Sequence, residues 1–193
     1  MQQGRHFDIV TAGSPISTGL AGTRVAASGS YGSFAVQLVN GGNTLRLTDF
    51  QAVAPTFSAW TSRFGLSGAD AGPLADPNHN GNANLLDYAL GLDPTVGGGT
   101  GIAVGIITEG GQRYLSLSYT KPTGAEAPTD ILYLAERATR LVPPDWSSSV
   151  ADIVIQGVVP GPGNLETVTM RSTHPFSTTA REFLHLKVTL TAP

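Results

Sequence analysis

Between Asp76 and Asp87 the chain reads "DPNHNGNANLLD", twelve residues that hold four Asn and two Asp. Side-chain oxygens at this density suit a hard cation. Calcium takes about six to eight oxygen ligands. A loop that wraps one ion from a short segment needs donors at alternate residues, a sharp reversal in the middle and a carboxylate at the far end. Counted from Asp76, the donors Asp76, Asn78 and Asn80 fall at positions 1, 3 and 5, and Gly81 falls at position 6, where the backbone must turn tightly. Asn82 at position 7 offers its backbone carbonyl, Asn84 at position 9 can act through a water, and Asp87 at position 12 closes the shell. The spacing predicts one calcium ion held by Asp76, Asn78, Asn80, Asn82 and Asp87. An Asn/Gly-rich turn accounts for part of the same pattern: Asn84 can cap a following helix, and Asp87 then sits well in its first-turn dipole. That turn does not require the full set of donors with Gly between them. Asp70 and Asp93 lie outside the loop, and Asp93 can cap the turn at "LDP" or reach a second ion, the cap being the favoured reading.

Other chemistry is sparse. The four His, at 6, 79, 174 and 185, are scattered, with no HExxH and no pair at i, i+4. His79 falls at a non-ligand position of the loop facing solvent, and His185 on the polar face of a strand. There is no GxSxG elbow and no phosphate loop. Glu109 and Glu126 are carboxylates that a fold could bring together for acid chemistry. Trp60 belongs to an apolar stripe and reads as core, whereas Trp146, after "VPPD", reads as an exposed ring that could serve as a sugar platform. No catalytic residue is assigned, and the chain is expected not to be an enzyme. It has no Cys, which removes disulfides, thiolate zinc and a Cys nucleophile.

The elements that must position the loop follow from periodicity. With 24 Gly, 13 Pro and only 13% charged residues, about half the usual ~25%, the composition suits short strands and many turns. A net charge of −3 gives no nucleic-acid footprint. Residues 1–53 read as a β-region: "HFDIVTA", "SFAVQLV" and "NTLRLTDF" alternate, and "NGG" at 40–42 supplies the hairpin. These strands are few for a closed core. Over 54–96 the period becomes helical. Phe57, Trp60 and Phe64 form one stripe, ended by Gly65, and a second helix over Asn84–Leu90 is ended by Gly91. Residues 65–75 read as loop and "TVGGGTG" as a linker. Over 97–193 alternation returns in "YLSLSYT", "DILYLAER", "DIVIQGVV", "ETVTMRS" and "FLHLKVTL", a pattern that predicts an antiparallel β-sandwich. The fold class expected is mainly β: an N-terminal β-region and a C-terminal sandwich joined by a small helical calcium-binding insert.

The loop resembles that of dockerin modules and of thrombospondin type 3-like repeats; dockerins also carry Asn at position 9 and Asp at position 12. More widely, "ADPNHNGNANLLDYALGLDP" is similar to the "DPDGDGLxNLLEYALGxDP" segment near the C-terminus of large secreted, autotransporter-like surface proteins of Verrucomicrobia-type bacteria. "FSAWTSRFGLSGADAGPLADP" resembles the lead-in of that family. "ILYLAERATRLVPPDW", "GNLETVTMRST" and "REFLHLKVTL" resemble the β-domain that follows. "HFDIVTAGSPISTGLAG" and "GNTLRLTDF" are similar to the end of an autotransporter-associated passenger. The resemblance implies an extracellular or cell-surface structural protein.

Three departures from that family bear on function. Asn78 and Asn80 stand where the family usually has Asp, and Asp87 where Glu is common, so only Asp76 and Asp87 bring charge. Affinity rises with ligand charge, which puts the expected site in the micromolar to millimolar range suited to extracellular calcium. A dockerin carries two such loops and this chain one, so a cohesin partner is not implied. The partners expected are copies of the chain itself, or the rest of a larger precursor, meeting strands such as "FAVQLVN" or "TLRLTDF". A binding module, dockerin-like or carbohydrate-binding, is the alternative. "MQQGRHFDIVTAG" lacks the apolar core of a signal peptide, so any export signal is expected to have been removed or to lie on a longer precursor. No apolar run is long enough to span a membrane.

Overall fold

The computed structural model describes residues 6–26, 31–178 and 181–191. Parts of the predicted N-terminal β-region, residues 1–5 and 27–30, lie outside the described residues. The chain is mainly β, with antiparallel sheets and two short α-helices among the described residues, and divides into two compact units, residues 1–54 and 55–193.

The first unit is one four-stranded sheet. Its strands are β1 (Phe7–Thr11), β2 (Arg24–Ala26), β3 (Gly32–Val39) and β4 (Thr44–Ala52), in the order β1-β4-β3-β2, all antiparallel. The hairpin between β3 and β4 turns where Asn40, Gly41 and Gly42 hold φ of 53°, 68° and 88°, as "NGG" predicts. Alternation puts Phe34 and Val36 inside, and Phe34 meets Phe7 edge-on at 5.9 Å and Phe50 at 4.9 Å. On the opposite face Arg46 bridges to Asp8 across the sheet at 2.6 Å. One expectation changes here. The strands expected near an interface, β3 and β4, are the two inner strands, with backbone partners on both sides. The sheet's edges are β1 and the three-residue β2, which the sequence pattern did not reveal.

The second unit begins with α1 (Phe57–Arg63). Thr56 caps it, its hydroxyl accepting from Ala59 N at 3.2 Å. Residues 65–75, read as loop, contain a short 3-10 turn over Gly68–Ala71. Helix α2 spans Asn84–Leu90 and ends at Gly91, whose φ of 70° is the left-handed conformation that glycine adopts without strain. The strands β5 (Ile102–Glu109), β6 (Gln112–Pro122), β8 (Ile153–Pro160) and β9 (Leu165–Ser172) form a sheet in the order β5-β6-β9-β8. Strands β7 (Ile131–Ala138) and β10 (Phe183–Leu190) form a second sheet of two. The two sheets share a core: Leu117, Tyr119 and Val168 from the larger, with Tyr133, Leu184 and Leu186 from the smaller. Leu90 of α2 is part of the same cluster.

The helical segment is therefore packed into the second unit. Trp60 sits among Phe57, Phe64 and Tyr88 with ring centroids 5.3–5.8 Å apart, which places it in the core as expected. The Tyr88 hydroxyl reaches the Pro55 carbonyl and Asp130 Oδ1, the latter at 2.7 Å, while Asp130 Oδ2 accepts from Phe57 N at 2.8 Å. The Tyr133 hydroxyl donates to Ala89 O at 2.6 Å. These bonds fix α1, α2 and the start of β7 as one body and hold the loop ahead of α2 in place. No helix among the described residues is long and apolar enough to cross a membrane.

Candidate metal centre

The ends of the Asn-rich loop are pinned before any side chain acts. Asn84 N donates to Ala75 O at 2.7 Å, and Leu85 N to Pro73 O at 3.1 Å. Between these pins the backbone reverses through His79 and Gly81, at φ of 53° and 89°. An L-residue at Gly81 would be strained, which is why the sequence has glycine at the middle of the loop.

This reversal turns the side chains of Asp76, Asn78, Asn80 and Asn82 inward around Asp87, which α2 carries in its first turn. Asp76 accepts from Asn80 N through Oδ1 at 3.2 Å and from Gly81 N through Oδ2 at 3.1 Å. Asn78 Oδ1 accepts from the same Asn80 N at 3.1 Å. Asn80 Oδ1 accepts from Asn82 N at 2.7 Å, and its Nδ2 faces both Asp87 oxygens at 3.4 and 3.5 Å. Asn82 Nδ2 donates to Asp87 Oδ1 at 2.9 Å. Asp87 itself is 0% exposed. Burial pushes its pKa up from the ordinary aspartate value; the amides of Asn82, Asn80 and Asn78 pull it back in part, and the charge of Asp76 adds to the rise.

All five residues predicted as ligands are thus brought together. Among the described residues no three His, Cys, Asp or Glu side chains gather into a group that could hold a metal ion; the donor set here is two carboxylates and three amides. That set fits calcium on chemical grounds. Its donors are hard oxygens, with no imidazole or thiolate, and a buried carboxylate that burial disfavours as an anion gains most from a cation beside it. A half-turn of the Asn80 or Asn82 amide puts Oδ1 where Nδ2 now faces Asp87, so the groups that donate to the carboxylate are also able to present oxygen.

Several details differ from the sequence reading. Asn82 was expected to act through its carbonyl, but its side chain also points into the loop and reaches Thr100 O at 3.4 Å. Asn84 does not cap α2. Ala83 holds the cap position, and Asn84 Nδ2 donates to Asp70 O at 2.7 Å and Gly72 O at 2.9 Å, tying the 3-10 turn to the helix. The segment read as a linker is part of the site's wall: Asn78 Nδ2 donates to Asp93 O at 3.1 Å and Val96 O at 3.0 Å. The acceptors are backbone carbonyls, of Asp93, Val96 and Thr100, which no side-chain type signals in the sequence. Asp93 caps its turn as expected, accepting from Thr95 N at 2.8 Å, and His79 is exposed.

The other candidates are accounted for elsewhere. Glu109 pairs with Arg171, and Glu126 with Arg63 at 3.2 Å, so the two acids are not brought together. Trp146, expected to be exposed, is half-buried and stacks on His185 at 3.7 Å, while His185 Nε2 meets Glu136 Oε2 at 2.7 Å. Comparison with family models, with curated proteins and with solved structures finds no match to this chain.

Proposed function

We propose that the chain is a non-enzymatic, calcium-stabilised structural module of an extracellular bacterial surface protein. The observation that supports this reading is the convergence of Asp76, Asn78, Asn80 and Asn82 on the buried carboxylate of Asp87. In this proposal calcium supplies the positive charge that the site lacks, and the ion ties the loop to α2. Through Leu90 that helix belongs to the core of the β-sandwich, so the ion would stabilise the whole unit. Two ligand charges give modest affinity, which suits the calcium concentration outside a cell. Partners would be copies of the chain or the rest of a larger precursor. The resemblance to Verrucomicrobia-type surface proteins leads to the same location.

The alternative is a binding module. A sugar platform at Trp146 is the less favoured form, because His185 already covers one face of the ring. Calorimetric titration of the chelator-treated protein with calcium decides the main reading. One ion per chain is expected, with Asp76→Ala abolishing binding because it removes one of two charges. Absence of calcium binding at millimolar concentration would sink the proposal.

A further inference from the structure

The loop also contains an Asn-Gly pair whose surroundings are arranged for a reaction with itself. Asn80 precedes Gly81, and asparaginyl-glycyl sequences cyclise when the glycine amide nitrogen attacks the asparagine side-chain carbonyl. Three contacts bear on that step. The nucleophile's N–H, on Gly81, donates to the Asp76 carboxylate at 3.1 Å. The electrophile's oxygen, Asn80 Oδ1, accepts from Asn82 N at 2.7 Å, a donor placed where negative charge develops. The leaving nitrogen, Asn80 Nδ2, faces the Asp87 carboxylate at 3.4 Å. Gly81 is exposed, and nothing lies within 4 Å of where a Cβ would stand, so water has access.

We propose that Asn80 and Gly81 form a self-modification site, at which Asn80 loses its amide and becomes an aspartyl or isoaspartyl residue. Gly81 N bonds to Asn80 Cγ, and the Cγ–Nδ2 bond breaks. Asp76 takes the Gly81 amide proton and returns it to solvent, and the departing nitrogen takes one proton from water and leaves as ammonia. Water then opens the cyclic imide at either carbonyl. No oxidant or reductant is involved. The product puts a third carboxylate into the loop beside Asp76 and Asp87. Its effect on calcium rests on the function proposed above: a higher ligand charge gives tighter binding.

The chain contains its own control. Asn40 also precedes a glycine, but its amide donates to Thr44 Oγ1 at 3.1 Å, and among the described residues no carboxylate is bonded to Gly41 N. The full-length protein, held at neutral pH in chelator or in calcium, is sampled over time and mapped by peptide mass spectrometry at both sites, with ammonia measured in parallel. Asn80 is expected to convert about tenfold faster than Asn40 or more, and Asp76→Asn to slow position 80 roughly 100-fold, the usual worth of a positioned base, without changing position 40. Equal rates at the two sites, or an Asp76→Asn protein that converts at the wild-type rate, overturns the proposal. Conversion at position 80 in a protein that binds no calcium upholds the modification and removes the calcium reading. Calcium binding with no conversion does the reverse.

Discussion

Asp87 is a carboxylate without exposed surface, and its burial has a consequence that pH can read. Burial raises its folded-state pKa, and Asp76 nearby adds to the rise against the pull of three Asn amides. In the calcium-free protein a raised folded pKa means that the folded state holds the proton more tightly than the unfolded chain. The contribution is fully present below the unfolded value, ~3.9 for aspartate, and is lost as pH rises through the raised folded value. Asp145 has the opposite sign. Hydrogen bonds from Thr139 and Arg140 hold it at about 2, so its contribution is lost only as pH falls through that range. The two are separable by substitution. Thermal melts of calcium-free protein across the acid range are expected to show wild-type stability falling as pH rises above the ordinary aspartate value. Asp87→Asn, a neutral isostere, is expected to lack that part of the slope. Parallel curves for the two proteins would mean that Asp87 is not carrying a buried charge.

At the scale of the element, α2 is where the loop is joined to the sandwich, and its end is fixed by a glycine that two constraints require. Gly91 sits at φ 70°, and a Cβ there would stand 2.8 Å from Pro122 Cγ. Gly91→Ala is therefore expected to cost roughly 1–3 kcal/mol, the usual cost of a left-handed non-glycine residue, read as a lower midpoint in urea. A midpoint within error of wild type would show that the helix end relaxes freely. This helix was legible in the sequence because its stripe, its glycine stop and its length agree. The long strands were legible because half-buried sheets force alternation, as in Leu115, Leu117 and Tyr119. The convergence of the five loop residues was legible because side chains at every second residue around a glycine reversal turn to the same side. What escaped had no such pattern. Strand β2 is three residues long, too short for alternation to register. The 3-10 turn at Gly68–Ala71 has no apolar stripe. Asn84 has a residue type that favours caps, yet its amide is used to hold two carbonyls of that turn, a demand set by tertiary position. His185 stands at a polar-face position, but the ring of Trp146 folds back onto it.

For the whole molecule, the proposed ion and the sheet edge at β1 lead to two measurements. A ligand that binds only the folded state at 100 times its dissociation constant adds ~2.7 kcal/mol, so calcium is expected to raise the melting temperature and chelator to lower it. An unchanged melt in chelator would leave the loop an ordinary turn. Self-association is argued from the first unit. Strand β1 lies at the edge of its sheet, and Phe7, Ile9 and Val10 are exposed on it, Ile9 by 53%. Among the described residues its backbone pairs with β4 alone. An edge with unpaired N–H and C=O groups and apolar side chains invites another strand, and natural edges block such pairing with charge. Copies of the chain are expected to meet there. Light scattering at high protein concentration with calcium present should then show multimers, and Ile9→Lys, which places a charge on the edge strand, should return the protein to monomer while leaving calcium binding unchanged. A wild-type chain that stays a monodisperse monomer under those conditions would count against self-assembly and leave the rest of a larger precursor as the expected partner of this edge.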